Sequence, residues 1–235
     1  ADAEDLGRLA RERGRLLMVG HLMRYHPALP RLKAILDAGE LGRLYYLYAR
    51  RLNLGIVRKD ENALFSLAPH DVSMMTYLAG SVPTSVIARG GSFLRPGIED
   101  VVFAILKFPD GVLGHIHVSW LDPHKVRSLT LVGEKRMATF DDAEPVEKIR
   151  IHEKGADRAK EYESFGESIS VHSGEVHIPA LTMAEPLKVE CQHFASCVEK
   201  GEPPLTGGED GVRVLKVLLA AQESLRRGGA ETAVG

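Results

Sequence analysis

Between Val82 and Phe140 the sequence breaks into short apolar runs: Val82–Gly91, Asp100–Phe108, Val112–Leu121, Arg127–Gly133 and Arg136–Phe140. Gly90-Gly91, Pro109-Asp110-Gly111 and Gly133-Glu134-Lys135 punctuate them. A parallel pair needs a crossover of a dozen residues or more, and these gaps are too short for that. The pattern therefore predicts consecutive hairpins, and Pro-Asp-Gly marks the tightest of the turns. Val101–Leu106 is apolar at nearly every position, whereas a sheet with one wet face alternates. Both faces of the central strands are thus expected to be covered, one by the chain's own helices and the other by a partner subunit.

Helical patterns flank this meander. Asp2–Arg13 carries Leu6, Leu9 and Ala10 at helical spacing, and Leu16–Val19 then reads as a short buried strand, the tail of an α/β unit. Pro27–Ala38 places Leu29, Leu32, Ile35 and Leu36 on one face. Leu44–Leu54 reads as a strand and Pro69–Leu78 as a helix ended by Gly80. Gly155–Pro186 is polar and reads as a long irregular excursion; helices over Glu185–Glu199 and Glu209–Arg226 close the chain. The fold class expected is α+β: a mostly antiparallel open sheet flanked by helices, preceded by a residual helix–strand.

With 30 basic and 32 acidic side chains among 235 residues the net charge is −2. That gives no electrostatic reason for nucleic-acid or anionic-membrane binding. No apolar run approaches the roughly 20 residues of a membrane helix. Cys191 and Cys197 lie six apart on one helical stretch, too far and too differently aimed to bridge, so a reducing, cytoplasmic setting is expected.

The histidines are the richest chemical resource. His70, in Ser66-Leu67-Ala68-Pro69-His70-Asp71, reads as a first-turn residue behind a cap and a helix-starting proline. The positive end of a helix disfavours imidazolium and would keep the ring neutral, as a general base must be; the plain alternative is a histidine that caps or packs. Arg24, Tyr25 and His26 follow the first predicted strand, where α/β folds bind ligands. Arg50, Arg51, Asn53 and Arg58 form a second group that could meet an anionic substrate, or simply solvate a strand end. Trp120 and His124 would line a cleft or join the core. His115 and His117 share a strand face, but no cysteine or carboxylate at ligand spacing completes a metal site, and none is expected.

Val19-Gly20-His21-Leu22-Met23-Arg24-Tyr25-His26-Pro27 resembles the strand and turn that enter the second domain of Gfo/Idh/MocA-family oxidoreductases. Asp37-Ala38-Gly39-Glu40-Leu41-Gly42 is similar to their helix end before the first sheet strand. Ala68-Pro69-His70-Asp71 matches the place of their catalytic histidine, and Gly201-Glu202-Pro203-Pro204 with Glu209-Asp210-Gly211 resembles the approach to their last helix. Arg51-Leu52-Asn53-Leu54-Gly55 and Ser119-Trp120-Leu121 resemble the nucleotide-sugar dehydrogenases of that family, including those acting on C3 of UDP-N-acetylhexosamine uronates.

The resemblance implies residues 1–20 as the remnant of a Rossmann dinucleotide-binding domain and residues 21–235 as an α+β domain for substrate binding and oligomerisation. It implies NAD or NADP held mainly outside this sequence, with the family's Glu-Lys-Pro segment falling before Ala1. His70 would be the catalytic base, and Arg24, Tyr25, His26 and Asn53 would contact a sugar or nucleotide-sugar. A homodimer or homotetramer through the sheet face is implied as well. Ser66 stands where many relatives carry an aspartate. Two other readings remain: a non-catalytic dimerisation scaffold, and a metal-dependent hydrolase using His115 and His117.

Overall fold

The computed structural model describes residues 2–158 and 169–235. Its strands are β1 (Leu44–Leu52), β2 (Ser85–Gly91), β3 (Val101–Lys107), β4 (Leu113–Ser119), β5 (Val126–Gly133), β6 (Met137–Asp141), β7 (Ile149–Arg158), β8 (Ile169–His177) and β9 (Thr232–Ala233). They form one sheet in the order β8-β7-β6-β5-β1-β4-β3-β2-β9. Hairpin pairing joins β2, β3 and β4, and again β5 to β8. β1 is inserted between the two meanders, antiparallel to β5 and parallel to β4. The fold is α+β with a mostly antiparallel open sheet. At Pro109-Asp110-Gly111 the chain reverses with Asp110 at φ 61° and Gly111 at φ 79°, conformations that aspartate tolerates and glycine favours.

The helices are α1 (Asp2–Glu12), α2 (Ala28–Asp37), α3 (Ala63–Ala79), α4 (Pro186–Lys200) and α5 (Gly208–Arg226). α3 lies on β1, β3 and β4, α5 lies on β2, and α2 packs against α3. One core results, in which Leu47, Ala104 and Ile116 of the sheet join Leu32, Met75 and Leu218 of the helices.

Among the described residues only one sheet face is covered. β3 alternates buried and exposed residues, and Tyr46, Phe103, Ile105 and Leu113 lie exposed on the far face. The chain's own helices cover one face, as expected, and leave the other open. His115 and His117 share this open face, where Phe103 stacks on His117 with ring centroids 4.3 Å apart. Among the described residues no group of three or more His, Cys, Asp or Glu is arranged to hold a metal.

Three element assignments change. Leu16–Val19 is half-buried and makes a single antiparallel bridge, Met18 to Gly207, instead of a strand. Residues 149–177, most of them read as irregular, contain the β7–β8 hairpin; residues 159–168 lie outside the described residues. Beyond Ile149 and Ile151, which join the core, the sequence there has little apolar alternation, so periodicity gave no signal. Finally, α3 begins at Ala63 and not Pro69. Asn62 caps it, its Oδ1 accepting from Phe65 N at 3.1 Å. Pro69 sits inside, where it removes one helical hydrogen bond without ending the helix. Both cysteines are free, and no described helix is long and apolar enough to cross a membrane.

The short β9 leaves most of β2 unpaired on that side. Ser224 of α5 compensates: its buried Oγ accepts from Ala88 N at 2.9 Å and donates to the Ala230 carbonyl at 2.7 Å. Ser224→Ala should strand the Ala88 donor and cost about 1–3 kcal/mol. Urea denaturation of the two proteins measures it, and unchanged midpoints would remove Ser224 from this role.

Candidate active site

β1 sets the position of the site. Its period-two alternation turns Leu47, Ala49 and Arg51 toward the helices and Arg50 toward the open face. Arg51 is thereby buried against α3, where Asp71 meets it side-on. Nε donates at 3.1 and 3.2 Å to the two carboxylate oxygens, and Nη2 donates at 2.9 Å. Side-chain exposures of 9% and 2% make this a desolvated pair. Losing one partner of such a pair leaves an uncompensated buried charge.

Next to Asp71, His70 opens on a cavity of about 480 Å³ that Arg51, Asn53, Arg58, Ser66, Trp120 and Arg127 also line. Asn53 continues β1 beyond its end, its N–H bonded to the Ser119 carbonyl at 3.1 Å. Trp120 is fixed by a 2.9 Å bond from its N–H to the carbonyl of fully buried Asp100. That aspartate in turn accepts from the Phe93 and Leu94 amides at 2.6 and 2.8 Å. Among the described residues, three arginines and no carboxylate line the cavity.

His70 is deprotonated at neutral pH, its pKa held down to about 4 by burial first and the Arg51 guanidinium second. Asp71 pushes the other way, while His21 and Arg127 add to the depression. The helix start is not the cause, because His70 lies well inside α3. Nδ1 of His70 is buried without a partner among the described residues.

The other sequence candidates go elsewhere. Arg24 lies over the Tyr77 ring, 3.8 Å from its centroid, and lines a separate cavity of about 560 Å³ with Lys33, Ser73, Asp210 and Arg213. The buried Tyr25 hydroxyl shares a 3.3 Å hydrogen bond with Thr206, and Thr206 donates to the Val19 carbonyl at 2.8 Å. His26 is buried too: Nδ1 accepts from Ala28 N at 3.1 Å, and the ring packs on Phe140 with centroids 5.0 Å apart. Tyr25 and His26 therefore fasten the entry segment and do not line the His70 cavity. Asn53 does.

Asp71 was missed as a partner of Arg51; the parity of β1 was the available signal, since it puts Arg51 on the buried face. His21 was missed as well. It is buried, near Asp210, and its pKa is lowered by desolvation.

Residues 30–139 match the GFO/IDH/MocA C-terminal domain. The likeness to that family covers a little under half of the chain. Over 230 residues it is 26% identical to the scyllo-inositol 2-dehydrogenase (NAD(+)) of Bacillus subtilis (strain 168), covering 93% of this chain and 63% of that protein. Among solved structures, the UDP-N-acetylglucosamine 3-dehydrogenase from Acidithiobacillus ferrooxidans is similar with a TM-score of 0.75 and 23% identity, over 96% of this chain and 67% of that one. An inositol dehydrogenase homolog from Azotobacter vinelandii, complexed with NADH and myo-inositol, has a TM-score of 0.77 at 16% identity, over 98% and 68%. The chain thus spans under two-thirds of the length of its B. subtilis relative.

A buried neutral histidine makes stability depend on pH. The unfolded chain takes up a proton at His70 below its ordinary pKa of 6.5, and the folded chain does so only near 4. The contribution is whole above pH 6.5 and is lost as pH falls toward 4. Between pH 7 and pH 5 it amounts to about 2 kcal/mol. Denaturant midpoints at the two pH values should therefore converge in His70→Asn relative to the parent chain; equal pH dependence in both would place the ring in water.

Proposed function

We propose that this chain is the substrate-binding part of an NAD(P)-dependent oxidoreductase of sugars or nucleotide-sugars, working in the cytoplasm. The observation that carries this reading is the neutral, buried imidazole of His70 facing a polar cavity of small-molecule size. The inositol and nucleotide-sugar dehydrogenases that the chain is similar to support the reaction class.

The described residues offer no glycine-rich turn between a strand and a helix to cradle a pyrophosphate. In this reading the dinucleotide is held by residues outside them, with residues 1–20 as the tail of that cofactor domain. When bound, the cofactor supplies the hydride acceptor. The residues of this chain do the rest. Asn53 hydrogen-bonds the sugar, and the Arg51–Asp71 pair fixes the wall beside it. His70, carrying its proton on Nδ1, takes the proton of the reacting hydroxyl at Nε2. Trp120 closes the cavity on its apolar side. Arg24, Tyr25 and His26 serve the site from the entry segment, by holding the turn that places Leu22 and Met23 in the cavity wall.

The open sheet face is the proposed oligomer interface, forming a homodimer or homotetramer. Exposed Tyr46, Phe103, Ile105 and Leu113 give it the apolar centre that such contacts need. The same face supports the second reading, a dimerisation scaffold without catalysis. NAD(H) titration of the 235-residue chain, alone and joined to a cofactor domain, separates the two: a joined form that binds no dinucleotide favours the scaffold.

Two outcomes are expected. In the enzyme carrying its cofactor domain, His70→Ala should lower turnover at least about 100-fold, and the acid limb of kcat/KM should fall near pH 4 and not near 6.5. Unchanged turnover removes His70 from catalysis. Light scattering should report a dimer or larger species that Phe103→Glu converts to monomer; a strict monomer at high concentration refutes the interface.

A further inference from the structure

The cavity beside His70 has a charge that the rest of the chain does not. The whole sequence carries a net −2, yet Arg51, Arg58 and Arg127 line this space together with His70, and among the described residues no acidic side chain lines it. Two of the arginines have carboxylates at the rim. Arg58 is 3.7 Å from Glu61, Arg127 is 3.5 Å from Asp142, and both are substantially exposed. Surface pairs of that kind are weak and exchange readily with a ligand.

Arg51 is different because it is buried and fixed. Asp71 occupies only the side of the guanidinium that carries Nε and one Nη2 hydrogen. The other end, both Nη1 hydrogens and the second on Nη2, has no acceptor among the described residues. A guanidinium end with parallel N–H groups matches two oxygens of one carboxylate or phosphate. Asp71 has already immobilised the side chain, so little rotamer entropy remains to be lost on binding.

We propose that this cavity takes an anionic sugar, with a carboxylate or phosphate of the substrate seated on the free end of Arg51 next to the reacting hydroxyl. The proposal deepens the dehydrogenase reading and rests on it for the word substrate. It separates this chain from enzymes of neutral polyols, whose hydroxyls cannot take both N–H groups of that free end the way one carboxylate or phosphate does. The anion also offsets the field of Arg51 on His70, so the imidazole becomes a better proton acceptor when the correct substrate is in place.

Trp120 is the single tryptophan of the sequence and lines the cavity, which makes it a native fluorescent reporter. The 235-residue chain is titrated at low salt with D-glucuronate, D-glucose 6-phosphate, D-glucose and myo-inositol. We expect saturable quenching by at least one anion, at least tenfold tighter than by either neutral compound and weakened by added salt. Glucuronate alone identifies a carboxylate site; the phosphate ester alone identifies a phosphate site. Arg51→Lys keeps the charge and loses the fork, and should weaken the preferred anion several-fold. Arg51→Met combined with Asp71→Leu removes both charges without stranding either, and should abolish the preference. Equal binding of anions and neutral sugars by the parent chain overturns the proposal, as does a preference that survives in the double variant. No cofactor or turnover enters this assay. A chain that prefers anions but proves catalytically inert refutes only the dehydrogenase reading.

Discussion

The ion pair between Arg51 and Asp71 ties together the parts on which the site depends. It joins β1, the strand between two meanders, to α3, the helix that carries His70. Both charges are out of water, so neither can be removed without exposing the other to the interior. A side-on guanidinium–carboxylate contact has one register, and it fixes which helix residue faces the end of β1. The neighbouring His70 therefore inherits a defined position and a defined electrostatic surrounding.

That surrounding corrects a plausible argument. Read along the chain, Pro69-His70 looks like a helix start, and a helix dipole would explain a neutral imidazole. The dipole falls off within the first turn, and α3 starts at Ala63, capped by Asn62. Burial and the guanidinium across the sheet interface do the work instead. The proton state expected at neutral pH is the same, but its origin has moved from a local signal to a tertiary contact.

The legible parts of the sequence were those encoded within one element. Strand runs from Leu44 to Phe140 and the turn at Pro109-Asp110-Gly111 emerge with their ends shifted by a few residues. His70 and Asn53, chosen from motif and position, meet in one cavity. Parts written between elements were less legible. Nothing local says that Tyr25 will meet Thr206, or that Arg24 will lie on Tyr77. The β7–β8 hairpin escaped because its strands pair by backbone bonds with little apolar patterning.

Among the described residues one strand contact is parallel, that between β1 and β4, and it has a consequence for how such a sheet can vary. It is a seam between two blocks, each built of hairpins that need only their neighbours. The candidate site sits at that seam, while the block running out to β8 extends away from it and the one ending at β9 lies on the other side. Strands can be gained, lost or lengthened at either margin without shifting the register of β1 against α3. The sheet is open at its edges to change and closed at its middle, where Arg51 holds it.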